Sequence, residues 1–230
     1  MSARQFAASE PEWMDRPDAT PAQIKDALRS LRGLNQYFGS YRLVRHFLCR
    51  WIKRGDRLRV LDLATGSGDI PRLVADHARA IGAQIEIVAV DFQPTTLQIA
   101  RELSADYPEI IFQQADALTF QSEEPFDIVT CTLALHHFSA EDAVKLLRRC
   151  RDLSRDRVLV SDLRRGIECT VGVFLLTALI FRDAMTRNDG RASAARAFSF
   201  DDLCDLARRA GWENFGAKKF RFARQAIWLE

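Results

Sequence analysis

The sequence predicts an α/β fold: a doubly wound, seven-stranded, mostly parallel sheet with its last strand antiparallel, preceded by a helical cap. Three observations predict it. From Leu58 onward, short apolar runs alternate with stretches whose apolar residues recur at helical spacing, the pattern of a parallel sheet covered on both faces. The first run, Val60-Leu-Asp-Leu63, enters a chain of small residues, Ala64-Thr-Gly66-Ser-Gly68, that fits a tight strand-to-helix turn. The final segment, Trp212 to Glu230, reads as two adjoining strands, a hairpin at one edge of the sheet.

Each element follows from local signals. Residues 1–55 form an arm and a helical cap. The arm, Met1 to Pro21, is punctuated by Pro11, Pro17 and Pro21 and reads as irregular. Thr20-Pro21 then supplies a cap and a first helical residue, and Ile24, Ala27, Leu28 and Leu31 form a stripe that ends near Gly33. A second helix from about Tyr41 places Val44, Phe47, Leu48, Trp51 and Ile52 on one face. Residues 56–230 carry the sheet. Its strands are Leu58 to Ala64, Ile85 to Asp91, Ile110 to Gln114, Phe126 to Thr132 and Arg157 to Asp162. The helix after Pro94 turns Leu97, Ala100 and Leu103 inward, and Ser139 caps one with Ala143, Leu146, Leu147, Cys150 and Leu153 inward. An apolar lid helix at about 167–186 and a polar loop, Arg187 to Ala197, come next. Ser199 caps the last helix, with Leu203, Leu206, Ala207 and Ala210 inward, and Lys218-Lys219 lie near the bend of the terminal hairpin.

Composition bounds the function. With 230 residues, 47% hydrophobic and 28% charged, the chain has material for a sizeable core, and a net charge of +2 gives no basic field for nucleic acid. The five cysteines are scattered and never spaced as Cys-x-x-Cys, which argues against zinc and against a disulfide framework. Met1 to Glu10 contains no signal-like apolar run, so a cytoplasmic location is expected. The longest uncharged run, Cys169 to Phe181, falls short of the roughly 20 residues a membrane span needs.

In an open parallel sheet, ligands collect beyond the carboxyl ends of the strands. Those ends here carry Asp91, Asp116, the pair His136-His137, and Asp162. Asp91 lies 23 positions after Gly68, near the spacing at which an acid meets ribose hydroxyls. Pro71 stands where a pyrophosphate loop would carry a third glycine, and no Gly-Lys-Ser/Thr follows. Asp62 and Asp69 would repel phosphate but tolerate a cation. The predicted ligand is therefore a cationic nucleoside without phosphate, which disfavours an NAD(P)-binding oxidoreductase.

Asp62-x-Ala64-x-Gly66-x-Gly68, Asp91 at the next strand end, and Gln114-Ala-Asp116-Ala117 resemble the first three motifs of class I S-adenosylmethionine-dependent methyltransferases. The resemblance runs from about Leu58 to Asp162 and departs at Ala64, where the family often has glycine. It implies a Rossmann-like methyltransferase sheet and S-adenosylmethionine as cofactor. It further implies that Asp62 and the Ala64, Thr65, Gly66 and Gly68 turn hold the methionine portion, Asp91 the ribose, and Asp116 with Ala117 the adenine. Phe92 is placed to pack on the adenine face. The stretch Leu135-His-His-Phe138 is similar to many small-molecule methyltransferases and lacks the Asn/Asp-Pro-Pro-aromatic signature of base methylation.

Methyl transfer to a hydroxyl is helped by a base, and a histidine near its reference pKa of about 6.5 is mostly available at neutral pH. The expected catalytic assembly is His136 or His137 with Asp162, no metal being required. Trp13-Met-Asp15, Asn35-x-x-x-Gly39, Arg187-Asn-Asp-Gly190 and Phe198-Ser-Phe-Asp-Asp-Leu203 loosely resemble a bacterial subgroup linked to polyketide or phenolic-lipid pathways. O-methylation of a small, apolar phenolic or polyketide-like metabolite is the first expectation, and C-methylation of a quinone-type ring the alternative. A non-catalytic cofactor-binding subunit is a third reading, and the oligomeric state is left open.

Overall fold

The computed structural model describes residues 4–7, 11–16, 18–179 and 184–230. In chain order these form a 3-10 turn at Trp13–Asp15, α1 (Pro21–Tyr37), α2 (Ser40–Trp51), β1 (Arg57–Leu63), α3 (Asp69–Ile81), β2 (Gln84–Asp91), α4 (Pro94–Leu103) and β3 (Ile110–Gln114). They continue with β4 (Phe126–Thr132), α5 (Ala140–Asp152), β5 (Ser154–Leu163), α6 (Ile167–Leu179), α7 (Ala184–Arg196), α8 (Phe200–Arg209), β6 (Gly216–Phe220) and β7 (Arg224–Leu229). The seven strands lie in the order β3-β2-β1-β4-β5-β7-β6. The first five are parallel, and β7 runs antiparallel between β5 and β6. The strand order reverses between β1 and β4, which opens the crevice where ligands of such sheets sit.

Alternate residues of each strand feed two apolar layers, as the period of two requires. Val60, Ile87, Ile128 and Leu159 face α2 and α3, while Leu61, Val88, Val129 and Val158 face α5 and α8. The buried side of α1, Ile24 and Leu28, packs against Ile99 of α4. The cap therefore rests on the strand-end side of the domain, beside the crevice.

Several expectations are corrected. Helix α1 does not stop near Gly33 but continues to Tyr37, because its last turn is held by Asn35, which donates to Asp69. The expected polar loop Arg187 to Ala197 is mostly helical. Its turn-like Asn188-Asp-Gly190 serves tertiary contacts: Gly190 lies so close to α6 that a Cβ there would stand 3.3 Å from Thr177 Cγ2. The expected single lid helix at 167–186 is thus two helices packed on each other, with residues 180–183 outside the described residues. Leu103 is exposed rather than inward. The terminal hairpin is as expected, with its bend at residues 221–223, near Lys218 and Lys219 of β6. Among its described residues the arm contains one 3-10 turn, and Pro17 lies outside the described residues.

Candidate active site

The turn after β1 is built from left-handed backbone. Ala64, Gly66 and Gly68 have φ of 56°, 55° and 70°. At Ala64 this costs on the order of 1–2 kcal/mol, a local strain of the kind found where backbone must meet a ligand. Gly68 has a second reason to be glycine, since a Cβ would come within 2.9 Å of the Phe112 ring. Pro71 fits the first turn of α3, where its missing N–H has no helical partner to lose.

Around this turn lies a cavity of about 1060 Å³, at the large end of the usual range for ligand sites. Its wall includes Ala64, Thr65, Gly66, Asp91, Phe92, Asp116 and Ala117. Asp91 is buried and bonded on both oxygens: Gly66 N–H donates to Oδ2 at 2.8 Å and Gln93 N–H to Oδ1 at 3.0 Å. Burial raises its pKa, against the pull of those bonds. Phe92 is 58% exposed and presents its ring to the cavity. Asp116 Oδ1 accepts from Leu118 N–H, which fixes the following turn.

Three expected site residues lie behind the wall. Asp62 is buried beneath the turn, accepting from Thr130 Oγ1 at 2.6 Å and Thr65 Oγ1 at 2.7 Å. Burial lifts its pKa to about 7, although both hydroxyls act in the other direction. Gly68 caps α3, and Asp162 supports His136 from below.

Asp162 binds His136 twice, with Nδ1 2.7 Å from Oδ1 and the backbone N–H 2.8 Å from Oδ2. Leu163 N–H adds a third bond at 2.7 Å. Burial disfavours the Asp162 charge, but the His136 ring and these donors outweigh it and lower the pKa. An ionised Asp162 fixes the proton of neutral His136 on Nδ1 and leaves Nε2 as the basic atom. That atom stands 3.9 Å from Glu12 Oε1, outside hydrogen-bonding distance of it.

His137 has different neighbours. Its Nδ1 lies 3.4 Å from Asp15 and its Nε2 3.9 Å from Glu12. Burial pushes the imidazole pKa down, yet Glu12 and Asp15 prevail and raise it to about 9. At neutral pH His137 is therefore a cation and a donor, whereas His136 has the geometry of a base. Because the folded pKa lies above the ordinary 6.5, protonation of His137 stabilises the fold fully below about pH 6.5 and loses that effect as pH rises through about 9. An NMR titration should place the His137 midpoint near 9 and lower it in Glu12→Gln; a midpoint near 6.5 in the unaltered protein would contradict this arrangement.

No sequence pattern marks Glu12, and Asp15 and α7 entered the sequence reading only through the loosely resembling stretches Trp13-Met-Asp15 and Arg187-Asn-Asp-Gly190, with no role assigned to them. Ser193 Oγ donates to Glu12 at 2.8 Å, and Arg196 lies 3.7 Å from the same carboxylate. Trp13 and Met14 N–H donate to the two oxygens of Asp189 at 2.8 and 3.0 Å. Two of the loosely resembling stretches, Trp13-Met-Asp15 and Arg187-Asn-Asp-Gly190, therefore meet over the cavity. On the opposite side, Asn35 and Tyr41 donate to Asp69 at 3.0 and 2.9 Å, tying α1 and α2 to the start of α3. Among the described residues, Glu12, His136 and His137 are also the group whose donor atoms lie within 4.8 Å of one another, close enough to share a cation.

Residues 60–157 match the family described as "Methyltransferase domain". Over these residues, fewer than half of its length, the chain carries a methyltransferase domain. Among curated proteins, this domain is 37% identical over 81 residues to a 2-phytyl-1,4-naphtoquinone methyltransferase of Thermosynechococcus vestitus, covering 35% of each chain. It is 30% identical over 143 residues to a ubiquinone/menaquinone biosynthesis C-methyltransferase of Idiomarina loihiensis, covering 58% of this chain and 54% of that one. The matches thus span from about a third to just over half of these relatives. In fold, the methyltransferase domain resembles human N-acetylserotonin methyltransferase in complex with S-adenosylmethionine, with TM-score 0.67, 17% identity, and coverage of 92% and 56%. It also resembles an S-adenosylmethionine-dependent methyltransferase of Aquifex aeolicus, with TM-score 0.63, 13% identity, and coverage of 92% and 98%.

The residues present fit that cofactor. Among the described residues, eight acidic side chains reach the cavity wall against three arginines and no lysine, a field suited to a sulfonium cation and hostile to phosphate. Asp91, Phe92 and Asp116 supply an acceptor, an aromatic face and a polar edge along one wall.

Proposed function

We propose that the protein transfers the methyl group of S-adenosylmethionine to a ring carbon of a small apolar quinone-type substrate in its reduced, hydroxylated state. Similarity to the ubiquinone/menaquinone biosynthesis C-methyltransferase of Idiomarina loihiensis supports this ring-carbon reading over the O-methylation of a phenol expected first from the sequence. The observation that carries the mechanism is His136, bonded to Asp162 at 2.7 Å and lining the same cavity as the glycine turn.

S-adenosylmethionine, when bound, supplies an electrophilic methyl group. Such a group needs an electron-rich partner, and an oxidised quinone ring is electron-poor. In the reduced ring, His136 Nε2 takes the proton of a ring hydroxyl, so that the oxygen's electron pair raises the nucleophilicity of a neighbouring ring carbon. His137, charged through Glu12 and Asp15, donates to a second ring oxygen and fixes the ring's orientation. The carbon–carbon bond forms as the sulfur–methyl bond breaks and leaves a neutral thioether; the ring carbon then gives its proton to water, restoring aromaticity, and His136 returns its proton to the ring oxygen. Positioning of this kind, with one base, accounts for roughly 10²–10⁴ in rate from the proton transfer and more from alignment.

The test is turnover against ring oxidation state. Methylated product is expected from a naphthohydroquinone under reducing conditions and none from the same naphthoquinone kept oxidised. Equal turnover of both, or turnover of simple phenols only, would overturn the reading.

A further inference from the structure

Helix α6 is apolar on both sides. Cys169, Gly172, Val173 and Leu176 line the cavity. On the other side Ile167, Val171 and Phe174 recur at i, i+4 and i+7, are 81%, 50% and 54% exposed, and lie outside the cavity wall. Leu175, 52% exposed, belongs to both the surface and the wall. A cavity wall needs one apolar face only, so a second one in solvent marks a docking surface.

Its surroundings select the partner. Among the described residues of the stretch 164–191, Arg164 pairs with Glu168 and Arg165 with Asp202, and Asp189 is buried and bonded to the arm, which leaves Arg187, exposed on α7, and Arg191 as the local excess of positive charge. Arg191 lies over the Phe174 ring at 4.3 Å, placing a cation at the edge of the apolar face. No helix among the described residues is long and apolar enough to cross a membrane. A short apolar helix with Arg191 at its edge and Arg187 exposed on the helix packed against it instead suits the plane of an anionic bilayer surface.

We propose that α6 seats the protein on an anionic lipid surface through Ile167, Val171 and Phe174, so that a substrate with an apolar tail enters the cavity beside Leu175. The docking itself stands on the helix; the passage of a tailed ring rests on the quinone-type reading above.

Co-sedimentation with phosphatidylcholine vesicles, with and without phosphatidylglycerol, tests it, using the full chain and the variant Ile167→Ser/Val171→Ser/Phe174→Ser. The full chain is expected to sediment with the anionic vesicles, less so at high salt, and the triple variant to remain at least about tenfold more in the supernatant, a loss of roughly 1.4 kcal/mol. Both should methylate a tail-less soluble hydroquinone at similar rates, and only the full chain should act efficiently on a tailed hydroquinone dissolved in the vesicles. If neither methylates any ring while the vesicle result holds, the substrate reading fails and the docking stands. Failure of the full chain to sediment with anionic vesicles overturns the docking. So does a lipid-free dimer in analytical ultracentrifugation that the triple substitution abolishes, because the face is then an interface between copies.

Discussion

Replacing His136 by alanine is expected to lower kcat by about 10²–10⁴ while the affinity for S-adenosylmethionine changes little. The prediction rests on geometry. His136 is buried, its Nδ1 is occupied by Asp162 at 2.7 Å, and its Nε2 is left for a substrate proton. Asp162→Asn should act in the same direction and less strongly, since the amide keeps the shape but removes the charge that favours a protonated imidazole. It also leaves three donors, the Nδ1 and two backbone N–H groups, facing a weaker acceptor. Thermal denaturation of each variant separates lost folding from lost chemistry. His137→Gln provides the contrast: a residue held as a cation should affect substrate KM more than kcat. Near-normal kcat in His136→Ala would remove the base from the account.

Asp91→Ala is expected to produce the largest loss of cofactor. The carboxylate fixes the turn through Gly66 N–H and offers its remaining lone pairs to the cavity. Hydrogen bonds to a charged group contribute about 1.5–3 kcal/mol, which corresponds to a 10- to 100-fold rise in Kd, and the orphaned Gly66 N–H adds to it. Calorimetric titration with S-adenosylhomocysteine measures this directly. Asp62→Asn should weaken binding less, because Asp62 braces Thr65 and Thr130 beneath the turn and does not line the cavity. Equal losses in both variants would mean that the turn, and not the contact from Asp91, governs affinity.

The parallel sheet was legible because buried strands and their covering helices leave strong periodic patterns. The strand ends that line the cavity follow from that order, and Asp91, Asp116 and the two histidines are brought to one rim. Other features depend on contacts between distant segments. Asn188-Asp-Gly190 reads locally as a turn, yet Gly190 is where α7 approaches α6 and Asp189 is where the arm is bonded. Glu12 stands in a proline-punctuated arm with no helical or strand period, so nothing nearby announces that it faces both histidines. Their division into a base and a cation arises from carboxylates 122 or more positions away in the chain for His137 and 26 for His136. Asp62 illustrates the converse: its motif was visible, but its burial, with a pKa lifted to about 7, belongs to the packing of β1 against β4.

The most direct test of the central claim is the position of the new methyl group. Incubation with S-adenosylmethionine labelled with carbon-13 at its methyl, a naphthohydroquinone and a reductant should yield a product whose label NMR places on a ring carbon, with formation suppressed in His136→Ala. A label found on oxygen, or product formed equally by His136→Ala, would contradict methyl transfer to carbon assisted by the His136–Asp162 pair.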